Sequence, residues 1–151
     1  MGSLGYEQYE VSNYARPGKQ CAHNINTWSM DQWMGLGPSA ASQIGGRRYS
    51  NVPDLEKWRD GLANGEPEQI EHSKVTRELL QEDALIFGLR MNEGVDSDRL
   101  RTRFGMPLSE KQECVLNRLE TDGKVVREGS QIRVTDSGRL VVDGIGAEVM
   151  A

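Results

Sequence analysis

Residues able to do chemistry concentrate in one place, Cys21-Ala-His-Asn-Ile-Asn-Thr-Trp28, followed by the glycine-rich run Met34-Gly-Leu-Gly-Pro-Ser-Ala-Ala41. The first segment holds one of the two histidines and one of the two cysteines in a chain of 151 residues. A neutral imidazole can ligate a transition metal, and a nearby thiolate is a second, softer donor. On an extended segment, residues two apart face the same side, so Cys21 and His23 would present together. The competing role for His23 and Asn24 is hydrogen bonding to the backbone of a loop. Asn24 and Asn26 suit turns, where their amides satisfy main-chain groups. Trp28 offers a broad apolar face, for packing or for stacking on a flat ligand. Gly35 and Gly37 suit backbone that passes close to another segment or to a ligand. His23 is thus a candidate metal ligand or a structural loop residue. Asn24, Asn26, Trp28, Gly35 and Gly37 either form a binding segment with it or fix the loop and its packing. No residue stands out as catalytic.

The remaining reactive residues are scattered. His72 falls in a polar stretch and Cys114 far downstream, and the spacing of 21, 23, 72 and 114 matches no zinc module. With neither cysteine in a C-x-x-C, a reducing cytoplasm is the expected compartment. Met1-Gly-Ser-Leu-Gly-Tyr6 lacks the charged and apolar regions of an export signal. No apolar run approaches the roughly 20 residues of a spanning helix, so no membrane partner is expected. The formal net charge is −5, and neither half is basic, which argues against a nucleic-acid partner. Arg47 and Arg48 could meet carboxylates, but on a strand they point to opposite faces.

These residues need elements to position them. Tyr9, Val11 and Asn13 alternate with polar neighbours and predict a strand, ended by Arg16-Pro-Gly18. Arg47 to Ser50 predicts another strand. Pro53 to Ala63 predicts a helix with Leu55, Trp58 and Leu62 on one face, stopped by Asn64-Gly65. Glu66 to Val75 reads as a polar connection. Thr76 to Met91 predicts a helix, followed by a short one from Asp96 or Ser97 to Phe104. Ser109-Glu-Lys-Gln112 is a capping box opening a helix to Asp122. Lys124–Arg127 and Gln131–Val134 predict a hairpin around Glu128-Gly-Ser130. Asp136 or Ser137 caps a last helix carrying Leu140, Val141, Ile145 and Val149. Helices, a two-stranded hairpin and a closing helix make a winged-helix order.

His23-Asn-Ile-Asn-Thr-Trp28 followed by Gly35-Leu-Gly-Pro-Ser-Ala40 resembles the oxygen-independent coproporphyrinogen III oxidase-like radical SAM proteins, the HemN/HemW family. Tyr6-Glu-Gln-Tyr-Glu-Val-Ser-Asn-Tyr-Ala15 resembles the strand before that motif. Leu85-Ile-Phe-Gly-Leu-Arg90 with Glu93-Gly-Val95 resembles a helix and turn of the family, and Val134-Thr-Asp-Ser-Gly-Arg-Leu140 the entry to its last helix. The blocks run in order over nearly the whole chain. An HN-x-N-Y-W motif is typical of the HemW-type members, which look like heme chaperones. Here Thr27 replaces the usual Tyr, and Ala41 stands where a His commonly follows.

The resemblance implies an α+β chain: the last strands of a partial (β/α) radical SAM barrel over residues 1–52, a helix and linker over 53–75, and a winged-helix-like C-terminal domain over 76–151. It implies a C-terminal fragment whose full-length parent uses a 4Fe–4S cluster, S-adenosylmethionine and heme. The C-x-x-x-C-x-x-C cluster motif is missing, so this piece should be inactive alone. Its partners would be the N-terminal barrel of the same protein and a tetrapyrrole or heme, with His23 the iron ligand. The alternative is a stand-alone winged-helix binder of DNA or protein. Against DNA, the Ser109–Asp122 helix carries Lys111 and Arg118 against four carboxylates, and phosphate would repel it.

Overall fold

The computed structural model describes residues 4–150. Residues 1–3, part of the stretch read above for an export signal, lie outside them. In chain order the elements are β1 (Glu7–Gln8), β2 (Tyr14–Ala15), α1 (Ala22–Trp28), β3 (Ala41–Ile44), β4 (Arg47–Asn51), α2 (Leu55–Asn64), β5 (Gln69–Lys74), α3 (Arg77–Arg90), β6 (Val95–Asp96), α4 (Ser97–Phe104), α5 (Glu110–Thr121), β7 (Val125–Glu128), β8 (Gln131–Val134), α6 (Asp136–Arg139) and α7 (Val142–Met150). The class is α+β, as the sequence indicates. Every strand pair is antiparallel, and no closed barrel occurs among the described residues. No helix there is long and apolar enough to cross a membrane.

The chain forms two compact units. One takes the chain up to Ser29 and again from Arg77; the other is Met30–Thr76.

In the first unit, α3, β6, α4, α5 and the β7–β8 hairpin follow the winged-helix order, with the sheet ordered β6-β8-β7. Leu85 and Leu89 of α3, Phe104 of α4, Leu116 and Leu119 of α5, Ile132 of β8, and Ile145 and Val149 of α7 are buried. Burial of each such side chain stabilises by about 1.5–3 kcal/mol, before ordering costs. Local chemistry sets the helix starts. The Asp96 carboxylate accepts from the N–H groups of Asp98 and Arg99 at 3.0 and 3.1 Å. The predicted capping box is present: Ser109 Oγ accepts from Gln112 N at 3.2 Å, and Gln112 Oε1 from Ser109 N at 2.9 Å. Gln81, buried on α3, donates to the carbonyls of Met106 and Pro107 at 2.7 and 3.2 Å, fixing the α4–α5 connection.

Three expectations are corrected in this unit. The alternating stretch Tyr9–Tyr14 is not one strand: Tyr9–Asn13 form the reversal of the β1–β2 hairpin and Tyr14 begins β2. The Glu10 carboxylate accepts from Ser12 N at 2.9 Å and Asn13 Nδ2 at 2.7 Å, which bends the chain where alternation alone would extend it. The candidate segment at 22–28 is a helix, not a loop or strand. The last helix is split. Thr135, not Asp136 or Ser137, caps α6, accepting from Gly138 N at 3.1 Å, and Leu140 at the break is 87% exposed rather than buried.

The second unit is the sheet β3-β4-β5 with α2. The strand at Arg47 is confirmed. The expected polar connection instead supplies β5, paired with β4 through an irregularity between Arg48 and Ser50. Glu71 beside it has φ 56°, the left-handed region. Asp54 caps α2 by accepting from Lys57 N at 2.8 Å, and Gly65 ends it. The predicted apolar face of α2 is not buried: Leu55 and Leu62 are 64% and 51% exposed.

Candidate functional site

Helix α1 is short, and its composition explains why it needs outside support. Asn, Thr, His and Trp are indifferent helix formers, and Cys21 at the N-cap makes no side-chain cap bond. Tertiary contacts hold both ends instead. The Tyr9 hydroxyl accepts from Cys21 N at 3.3 Å, and the Tyr9 ring meets Trp28 with centroids 6.2 Å apart. Arg103 Nη1 donates to the Ser29 carbonyl at 2.5 Å, just past the last turn.

This helix decides where the candidate residues go. His23 sits in the first turn, exposed, and its imidazole makes no hydrogen bond or ion pair among the described residues. Thr27 Oγ1 donates to its carbonyl at 3.0 Å. Cys21, also exposed, lies at the cap, so the shared face expected of an extended segment is lost. Asn24, Asn26 and Trp28 are half-buried on the same helix. Asn24 and Trp28, four apart, share a face; His23 does not point with them.

Gly35 and Gly37 belong to the other unit, where backbone packing accounts for both. A Cβ on Gly35 would lie 2.3 Å from the Ala41 carbonyl oxygen. Gly37 has φ +108°, which side chains disfavour. Asn51 Nδ2 donates to both carbonyls, at 3.2 and 2.8 Å, and Gly35 N donates to Ser42 Oγ at 3.0 Å. In the same unit Arg48 donates to Gln43 Oε1 at 2.6 Å, while His72, in β5 rather than a linker, stacks near Tyr49 with centroids 5.9 Å apart.

Sequence reading missed a cleft of about 630 Å³ in the first unit. Its walls include Trp28 at the end of α1, Gly88 of α3, Arg99 and Arg103 of α4, and Gln131 and Arg133 of β8. Arg99 and Arg103 are four apart on one helix face; Arg133 comes from the hairpin. Their sequence separation from Trp28 hid the grouping.

The residues present do not fit an iron–sulfur cluster. Such a cluster needs three or four thiolates, whereas the chain has Cys21 and Cys114 only, both exposed. No group of three metal-binding side chains occurs among the described residues. A heme asks less, one imidazole reachable from solvent, and His23 is exposed.

The winged-helix order and the α1 segment together define a class. Residues 75–141 match the HemN C-terminal domain. The chain is 33% identical over 142 residues to the heme chaperone HemW of Bacillus subtilis, covering 93% of this chain and 37% of that protein. It is 30% identical over 145 residues to the heme chaperone HemW of Mycobacterium tuberculosis strain H37Rv, covering 96% and 35%. The solved structure of coproporphyrinogen III oxidase (HemN) from Escherichia coli, described as a radical SAM enzyme, superposes with a TM-score of 0.74 at 20% identity, over 98% of this chain and 38% of that one. At that identity the likeness speaks to fold alone. The chain is HemN/HemW-like, similar to the C-terminal region of the oxygen-independent coproporphyrinogen III oxidase-like proteins. It spans 37% of the length of the Bacillus subtilis relative.

Proposed function

We propose that this chain acts as the C-terminal part of a HemW-type protein and helps form a tetrapyrrole site, with His23 as an axial ligand to heme iron. The observation that carries this is the match over 93% of the chain to a heme chaperone. The exposed His23 imidazole, which makes no hydrogen bond or ion pair among the described residues, is consistent with it. Helix α1 would present His23, with Asn24, Asn26 and Trp28 shaping the surrounding surface. The radical SAM chemistry named for relatives would come from an N-terminal barrel working with this part, since this chain carries no cluster ligands.

The DNA-binding alternative gains no support. Arg118 pairs with Glu148 and Arg127 with Glu113 at 2.9 Å, so these cations are neutralised internally. A titration of the chain with ferric heme, followed by absorbance, tests the proposal. Saturable binding with a shifted Soret band is expected; a linear, unsaturated response would contradict it.

A further inference from the structure

The cleft beside Trp28 differs in charge from the rest of the molecule. Arg99, Arg103 and Arg133 line it against Glu93 and Asp96, in a chain of net charge −5. Asp96 is already committed to capping α4. Arg99 is 89% exposed on its side chain, and its contact to Asp96 is long, 3.6 Å. Arg133 pairs with Glu128 on its own hairpin, leaving its other donors for a ligand. Arg103 fixes the Ser29 carbonyl and so ties the cleft wall to α1. Guanidiniums present planar forks that match carboxylates, and an indole offers a flat apolar wall. The volume falls within the range of about 300–1,000 Å³ usual for small-ligand sites.

We propose that this cleft binds the carboxylate-bearing edge of a tetrapyrrole, Arg99 and Arg133 meeting the carboxylates and Trp28 packing against the ring system. This rests on the tetrapyrrole reading above but not on His23, which lines no part of the cleft.

The test uses a metal-free porphyrin, which His23 has no iron to ligate. Binding of metal-free coproporphyrin to the full chain is followed by fluorescence anisotropy. The wild type should bind saturably, and the form with its carboxylates esterified should bind much more weakly. The double variant Arg99→Gln/Arg133→Gln should lose about tenfold in affinity, the expected scale for two partly exposed ion pairs. Lys57→Gln/Arg59→Gln, an equal loss of charge on α2, should leave this affinity unchanged. No saturable binding, equal binding of the ester, or equal losses in both double variants would overturn the proposal. Displacement by adenosine monophosphate at matched concentration would reassign the cleft to phosphate-bearing ligands and overturn it too.

Discussion

Glu10 and Arg90, 80 residues apart in sequence, meet in an ion pair that fastens the β1–β2 hairpin to the end of α3. The Glu10 side chain is 1% exposed and lies 3.2 Å from Arg90 Nη2. Val11 N donates to the Arg90 carbonyl at 3.2 Å, and Asn92 N to the Tyr9 carbonyl at 3.1 Å, so the backbone joins alongside. Tyr9 in turn steadies α1. The candidate ligand helix is thus held by a chain of contacts that begins at a buried carboxylate.

Burial would raise the Glu10 pKa, but the hydrogen bonds from Ser12 and Asn13 and the Arg90 charge outweigh it and bring the value below the ordinary 4.5. A carboxyl depressed in the folded state adds stability above its unfolded pKa and loses it as pH falls through its folded one. Glu10→Gln should therefore cost about 2–3 kcal/mol near neutrality, by weakening charge-assisted hydrogen bonds. The gap from wild type should shrink below about pH 4.5, the ordinary value. Urea unfolding from neutral to acidic pH measures both; a gap that is constant or widens toward acid would oppose the assignment.

Tyr9 and Trp28 should be energetically coupled. A double-mutant cycle with Tyr9→Leu and Trp28→Leu should give about 0.5–1.5 kcal/mol of interaction energy, as for other aromatic pairs. Additive losses would mean that the two rings are neighbours without mutual support.

Ser109→Ala should remove one arm of the capping box on α5 and cost about 1 kcal/mol. For a protein of this size, thermal unfolding should drop by roughly 2–4 °C. An unchanged midpoint would show that α5 does not depend on its cap.

Gly35→Ala places a methyl against the Ala41 carbonyl and should cost about 1–3 kcal/mol with no ligand added. If stability is untouched and only tetrapyrrole binding falls, Gly35 acts at a ligand face rather than in backbone packing.

Elements specified by their own residues were legible in the sequence. The α5 capping box, the α4 start at Asp96 and the β7–β8 hairpin carry local signals that tertiary packing leaves in place. Elements held by distant partners were not. Helix α1 lacks a side-chain cap and depends on Tyr9 and Arg103; β5 is a polar run that becomes a strand only beside β4. His23 is one of two histidines in the sequence, yet its orientation depends on a helix the composition disfavours. The arginine cleft was invisible because its walls span residues 28 to 133.

Ferric heme titrations of wild type and His23→Ala test the central proposal most directly. His23 ligation predicts that the variant loses the wild-type Soret shift and binds heme more weakly, while its far-ultraviolet circular dichroism stays the same. Identical Soret positions and affinities in the two proteins would contradict it.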